Sequence, residues 1–116
     1  FRRTGLLVAG VNNVASLFEK ASEHISPTIY GEIIPTLGKG LEAASEGYDG
    51  IILLGPFNCL QYRISEAILK PCSIKEGMPI LTYESDGYAV SPSVMRQVDV
   101  HIQQVLEHAA RHLVAH

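Results

Sequence analysis

The sequence predicts an α/β fold: a small Rossmann-like parallel sheet flanked by helices, with at least one βαβ unit. Two observations carry this. The run Ile51-Ile52-Leu53-Leu54 is bounded by Asp49-Gly50 and Gly55-Pro56, the mark of a short strand buried on both faces, which requires helices above and below it. A second run, Ile80-Leu81-Thr82-Tyr83, follows the turn Gly77-Met78-Pro79, and a helical pattern lies between the two. Strand, helix and strand in that order make a parallel pair with a crossover.

Composition narrows the class. The chain has 116 residues, 47% hydrophobic, with a formal net charge of −3. That length suits a single α/β domain spanning 1–116. The charge leaves no basic footprint, so nucleic acid is not expected as a partner. No apolar run approaches the ~20 residues of a membrane span. Two cysteines, Cys59 and Cys72, are too few for a disulfide scaffold and suit a reducing compartment, hence a cytoplasmic expectation. The chain begins at Phe1 with neither Met nor a signal-peptide pattern, and we expect it to be a fragment of a longer protein.

The elements follow in order. Leu7, Val11, Val14, Phe18, Ala21 and Ile25 recur at helical spacing over residues 4–25. A short strand over residues 5–11 is the alternative, and Ser26-Pro27 should end the helix. Ile33, Ile34, Leu37, Leu41 and Ala44 form the next helical stripe, stopping at Gly47, with Pro35 either in the first turn or after a short turn of helix. Gly38 and Gly40 are expected to let this helix approach the strand that follows. Residues 62–69 read as the crossover helix, ending near Pro71. Ser91-Pro92 opens the last helix as N-cap and N1. Its stripe is Val94, Val98, Ile102, Val105, Leu106, Ala109 and Leu113. The expected core contains Ile52, Leu53, Ile64, Ile68, Ile80 and Leu106.

Candidate sites gather at the carboxyl ends of the two strands, where open α/β sheets bind ligands. Cys59 lies just past the first strand. A thiol there, near a helix N-terminus, suits a nucleophile or metal ligand, or else packs as a small apolar residue. Cys72 is expected to pack. Glu84 and Asp86 follow the second strand as an acid/base pair or as plain turn chemistry. His108 and His112, four apart on a helix, can present two imidazoles to zinc, but no third ligand is evident in the sequence. We expect them, with His101, to flank the apolar stripe, and we expect no stoichiometric metal in this chain. No GxGxxG or GxxxxGK[ST] phosphate loop is present.

Gly31-Glu32, Leu37-Gly38-Lys39, Gly47 with Asp49-Gly50-Ile51, Pro56-Phe57 with Cys59, Met78-Pro79-Ile80-Leu81-Thr82, Asp86-Gly87 and Arg96 stand in a telling order and spacing. Over roughly residues 26–100 the chain resembles the C-terminal part of the 2-hydroxyglutaryl-CoA dehydratase and CoA-substrate-specific enzyme activase-related proteins. These belong with the 2-hydroxyacyl-CoA dehydratase and benzoyl-CoA reductase systems. The resemblance implies an iron–sulfur electron-transfer context, in which an ATP-hydrolysing activase passes an electron to a dehydratase or reductase partner. It places Cys59 at a cofactor- and metal-binding position and Asp86 and Arg96 at catalytic ones. A 4Fe–4S cluster would belong to the full-length parent and ATP to a domain outside this chain. The other domains of the parent, and a second copy in a homo-oligomer, are the further partners implied. One departure stands out: the pattern continues Cys-Met-Pro, whereas this chain has Cys59-Leu60-Gln61. With one plausible ligand the chain is not expected to hold a cluster alone, since such clusters take four, mostly cysteine. The competing expectation is a noncatalytic α/β ligand-binding or protein-interaction module.

Overall fold

The structure, a computed structural model, describes residues 14–26, 28 and 33–115. Its elements run α1 (Val14–Ser22), α2 (Ile33–Ser45), β1 (Ile51–Pro56), α3 (Leu60–Glu76), β2 (Ile80–Ser85) and α4 (Pro92–Ala115). The four helices flank a two-stranded parallel sheet in which Ile51 pairs with Ile80 and Pro56 with Ser85. The βαβ unit β1–α3–β2 is therefore present as expected. The sequence expectation for residues 4–13 falls outside the described residues.

The core lies on one face of the sheet. Ala21 of α1, Ile34 and Leu37 of α2, Leu53 of β1, and Tyr62 and Leu69 of α3 form one buried cluster. Its helices meet at close range because glycine removes the side chains between them. A methyl group at Gly38 would collide with the backbone of Leu17, and one at Gly40 with the Leu69 side chain. Both glycines thus serve helix–helix contacts rather than the expected contact with β1. Gly55 does serve the strand, since its bare Cα lets the Tyr62 ring lie against β1.

Several expectations need correction. β1 is buried on one face only: Leu53 is 7% exposed, but Ile52 is 51% and Leu54 66% exposed. Helices α2 and α3 cover the Leu53 face, while α4 crosses the other face mainly beside β2 and the turn before β1. Ile52 and Leu106 are accordingly not core, and Ile64, Ile68 and Ile80 are half-buried. In α1 the inward residues are Leu17 and Ala21, with Val14 and Phe18 turned outward. Helix α3 does not stop at Pro71 but runs on to Glu76, where Gly77, at φ 70°, closes it by donating its N–H to the Ile74 carbonyl. Pro71 has no N–H to donate within the helix, a loss that tertiary packing of Leu69 and Ser73 outweighs. Pro35 sits in the first turn of α2, where a proline is tolerated. In α4 the inward face keeps Val94, Val98, Val105 and Ala109 from the expected stripe and adds His101 and His108, while Ile102, Leu106 and Leu113 are exposed. Its N-cap is Ser91 as expected, the Val94 N–H donating to Ser91 Oγ at 3.3 Å.

Candidate functional site

The parallel pairing brings the segments after β1 and β2 together at the carboxyl edge. The Phe57 N–H donates to the Ser85 carbonyl at 2.7 Å, extending the ladder one step past the strands. The chain then reverses through Asn58, held at φ 57°, a left-handed conformation that asparagine tolerates better than most residues. The Asn58 N–H donates to Glu84 Oε1 at 2.8 Å, and Arg63 from the first turn of α3 grips the other carboxylate oxygen. Glu84 is thereby a clamp that sets the turn, and its charge is spent on Arg63. Arg63 also donates to Glu66 at 3.0 Å, and Lys70 reaches the other oxygen of Glu66 at 3.0 Å. Burial disfavours the charged form of Glu66, yet hydrogen bonds from Lys70, Thr82 and Arg63 outweigh it and hold the carboxyl below its ordinary value.

Cys59 is the N-cap residue of α3, with φ −80° and ψ 114° and no side-chain capping bond. It is a half-buried free thiol packed against the core cluster. With Thr36, Leu53, Tyr62 and Ser65 it lines a small cavity on the α2–α3 face. Asp86 lies past β2 and is exposed, its Oδ1 accepting from the Tyr88 N–H at 3.0 Å as an Asx turn does. Arg96 is on α4 and lines a groove with Ile80, Leu81, Val100 and His101 on the opposite face of the sheet. Cys59 and Arg96 are thus on different faces, and Asp86 is at the edge between them. Cys72 is half-buried, about one turn from the carboxyl end of α3, lining a separate cavity with His24, Leu41 and Lys75.

A four-iron cluster does not fit the described residues by themselves. One thiol stands at the strand edge, the other thiol faces a different cavity, and the charged groups nearby are engaged with each other.

Sequence reasoning missed Arg63 as a partner of Glu84 and Asp49 as a partner of the α4 histidines. At the amino end of β1, His108 Nδ1 lies 3.1 Å from Asp49 Oδ1, and His112 Nδ1 lies 3.8 Å from the same atom. Asp49 and His108 are 59 residues apart in the chain, so no local pattern announces their meeting. His101, also on this inward face, is 4% exposed, and its Nδ1 has no hydrogen-bond partner among the described residues. Burial pushes its pKa below the ordinary value.

Comparison with protein-family models, curated proteins and solved structures finds no match to this chain.

Proposed function

We propose that this chain is an α/β domain of an acyl-CoA dehydratase/activase-type iron–sulfur electron-transfer protein, inactive in isolation. The observation that supports this is positional. The Pro56-Phe57-Asn58-Cys59 turn, one of the short motifs whose order carries the resemblance, stands at the carboxyl edge of a parallel strand pair, bonded to the Glu84–Ser85 segment. That is the edge at which α/β sheets place ligand-binding residues. In this reading Cys59 supplies one thiolate and the remaining ligands come from other segments of the parent or a second copy. Further strands from the parent complete a Rossmann-like sheet.

A noncatalytic interaction module is the second reading, favoured by the outward face of β1, where Ile52 is 51% and Leu54 66% exposed. One experiment separates the two. The whole protein that contains this chain is purified anaerobically and assayed for iron and acid-labile sulfide, alongside Cys59→Ser. The electron-transfer reading expects both elements in the parent, with cluster content lowered or its spectrum altered by C59S. Absence of iron and sulfide, or a cluster indifferent to C59S, leaves Cys59 as a packing residue and supports the interaction module.

A further inference from the structure

Helix α4 is fastened to the turn that starts β1. Gly50 carries no side chain, and a methyl group there would collide with Val105, so α4 rests directly on the Asp49-Gly50 turn. One helical turn beyond Val105 stands His108, and one turn further His112, so both imidazoles are carried to the Asp49 carboxylate. His108 is buried at 7% exposure, and Asp49 and the His112 ring are partly open to solvent. One ligand atom from each of the three residues lies within 4.8 Å of the other two.

Against the sequence expectation of no stoichiometric metal, we propose that Asp49, His108 and His112 form a binding site for a divalent transition-metal ion, with Zn2+ as its natural test ion. The donor set is two imidazole nitrogens and a carboxylate oxygen, the mixture zinc accepts in three-ligand sites with an open fourth position. Zinc–ligand bonds of about 2.0–2.1 Å in a tetrahedron place neighbouring donor atoms roughly 3.3 Å apart. The observed separations from Asp49 Oδ1, 3.1 Å to His108 Nδ1 and 3.8 Å to His112 Nδ1, straddle that value. A plain tether accounts for only half of the arrangement. His108 can share a hydrogen bond with Asp49, but His112 at 3.8 Å is beyond hydrogen-bond reach. Its ring nevertheless converges on the same oxygen, with its centroid 4.4 Å from that of His108. A cation between the three gives both imidazoles and the carboxylate a common partner.

The ion would pin the second half of α4 to the turn that starts β1, and its fourth position would face solvent on the Asp49–His112 side. The borderline imidazole nitrogens and hard carboxylate oxygen set this site apart from any thiolate-held cluster. Its location at the amino end of the sheet separates it from Cys59, and it stands independently of the proposed function.

The test uses tag-free, chelator-treated protein titrated with Zn2+ by calorimetry and with Co2+ by visible absorption. One equivalent should saturate each, and Zn2+ should raise the thermal midpoint. Asp49→Asn and His112→Ala should each weaken binding at least about tenfold, the low end of what even outer-shell losses cost. The His112 side chain is 48% exposed, so His112→Ala should keep the wild-type circular dichroism spectrum. A Cys59→Ser/Cys72→Ser double variant should bind like wild type. No saturable binding, binding that survives both D49N and H112A, or binding lost in the double cysteine variant overturns the proposal.

Discussion

Leu53→Ala and Ile52→Ala differ by one position in β1 and should differ several-fold in cost. Leu53 is 7% exposed and sits in the cluster with Ile34, Leu37, Tyr62 and Leu69. The change deletes three carbons, each worth about 0.8 kcal/mol when buried, so the transfer loss alone is roughly 2.4 kcal/mol. The surrounding helices are locked by the close contacts at Gly38 and Gly40 and cannot collapse fully into the space. The residual cavity brings the expected loss to about 3–4 kcal/mol, inside the range for buried leucines. Ile52 is already 51% exposed. Its truncation removes about half the transfer energy and leaves no enclosed cavity, for a loss of about 1 kcal/mol with a small contribution from β-propensity. Urea unfolding followed by circular dichroism measures both, with unchanged m-values required for the comparison. Losses within about 1 kcal/mol of each other would show that β1 is packed alike on both faces, and the one-sided core described here would be wrong.

The Glu84 clamp offers a second comparison. Glu84→Gln keeps an acceptor for the Asn58 N–H and loses only an ion pair with Arg63, whose side chain is 56% exposed, so it should cost under about 1 kcal/mol. Glu84→Ala also removes the acceptor of the Asn58 N–H, while Arg63 keeps Glu66, and should cost about 0.5–1.5 kcal/mol more than Glu84→Gln; equal effects in chemical denaturation would refute the clamp. His101 sets a pH dependence. Burial lowers its pKa from 6.5, so the folded state favours the neutral ring while the unfolded chain protonates at the ordinary value. Its contribution is whole above the unfolded pKa and is lost as pH falls below about 6.5 toward the folded pKa. His101→Gln should therefore flatten the decline in stability between about pH 7 and 5, and an unchanged slope would show that His101 is hydrated in the native state.

Local sequence determined the elements and their order. Asp49-Gly50 opens β1, although the strand runs through Gly55-Pro56 and does not close there, Ser91-Pro92 starts α4, and two apolar runs around a helical stretch dictate a parallel pair, because a crossover helix cannot join antiparallel neighbours so closely. The carboxyl-edge placement of Cys59 and Glu84 follows from that order alone. Tertiary structure decided what periodicity leaves ambiguous. Pro71 reads as a stop in isolation, yet α3 continues because the packed residues on either side outweigh one missing hydrogen bond. Four aliphatics in a row cannot say which of their faces is covered; that depends on where α4 lands, and α4 lands on Gly50 and β2 rather than across Ile52 and Leu54. The same landing turns His101 and His108 inward in place of Ile102 and Leu106, and carries His108 and His112 to Asp49. A hydrophobic stripe is a statement about one helix, whereas a partner 59 residues away is a statement about how two elements are placed, and only the packed chain contains it.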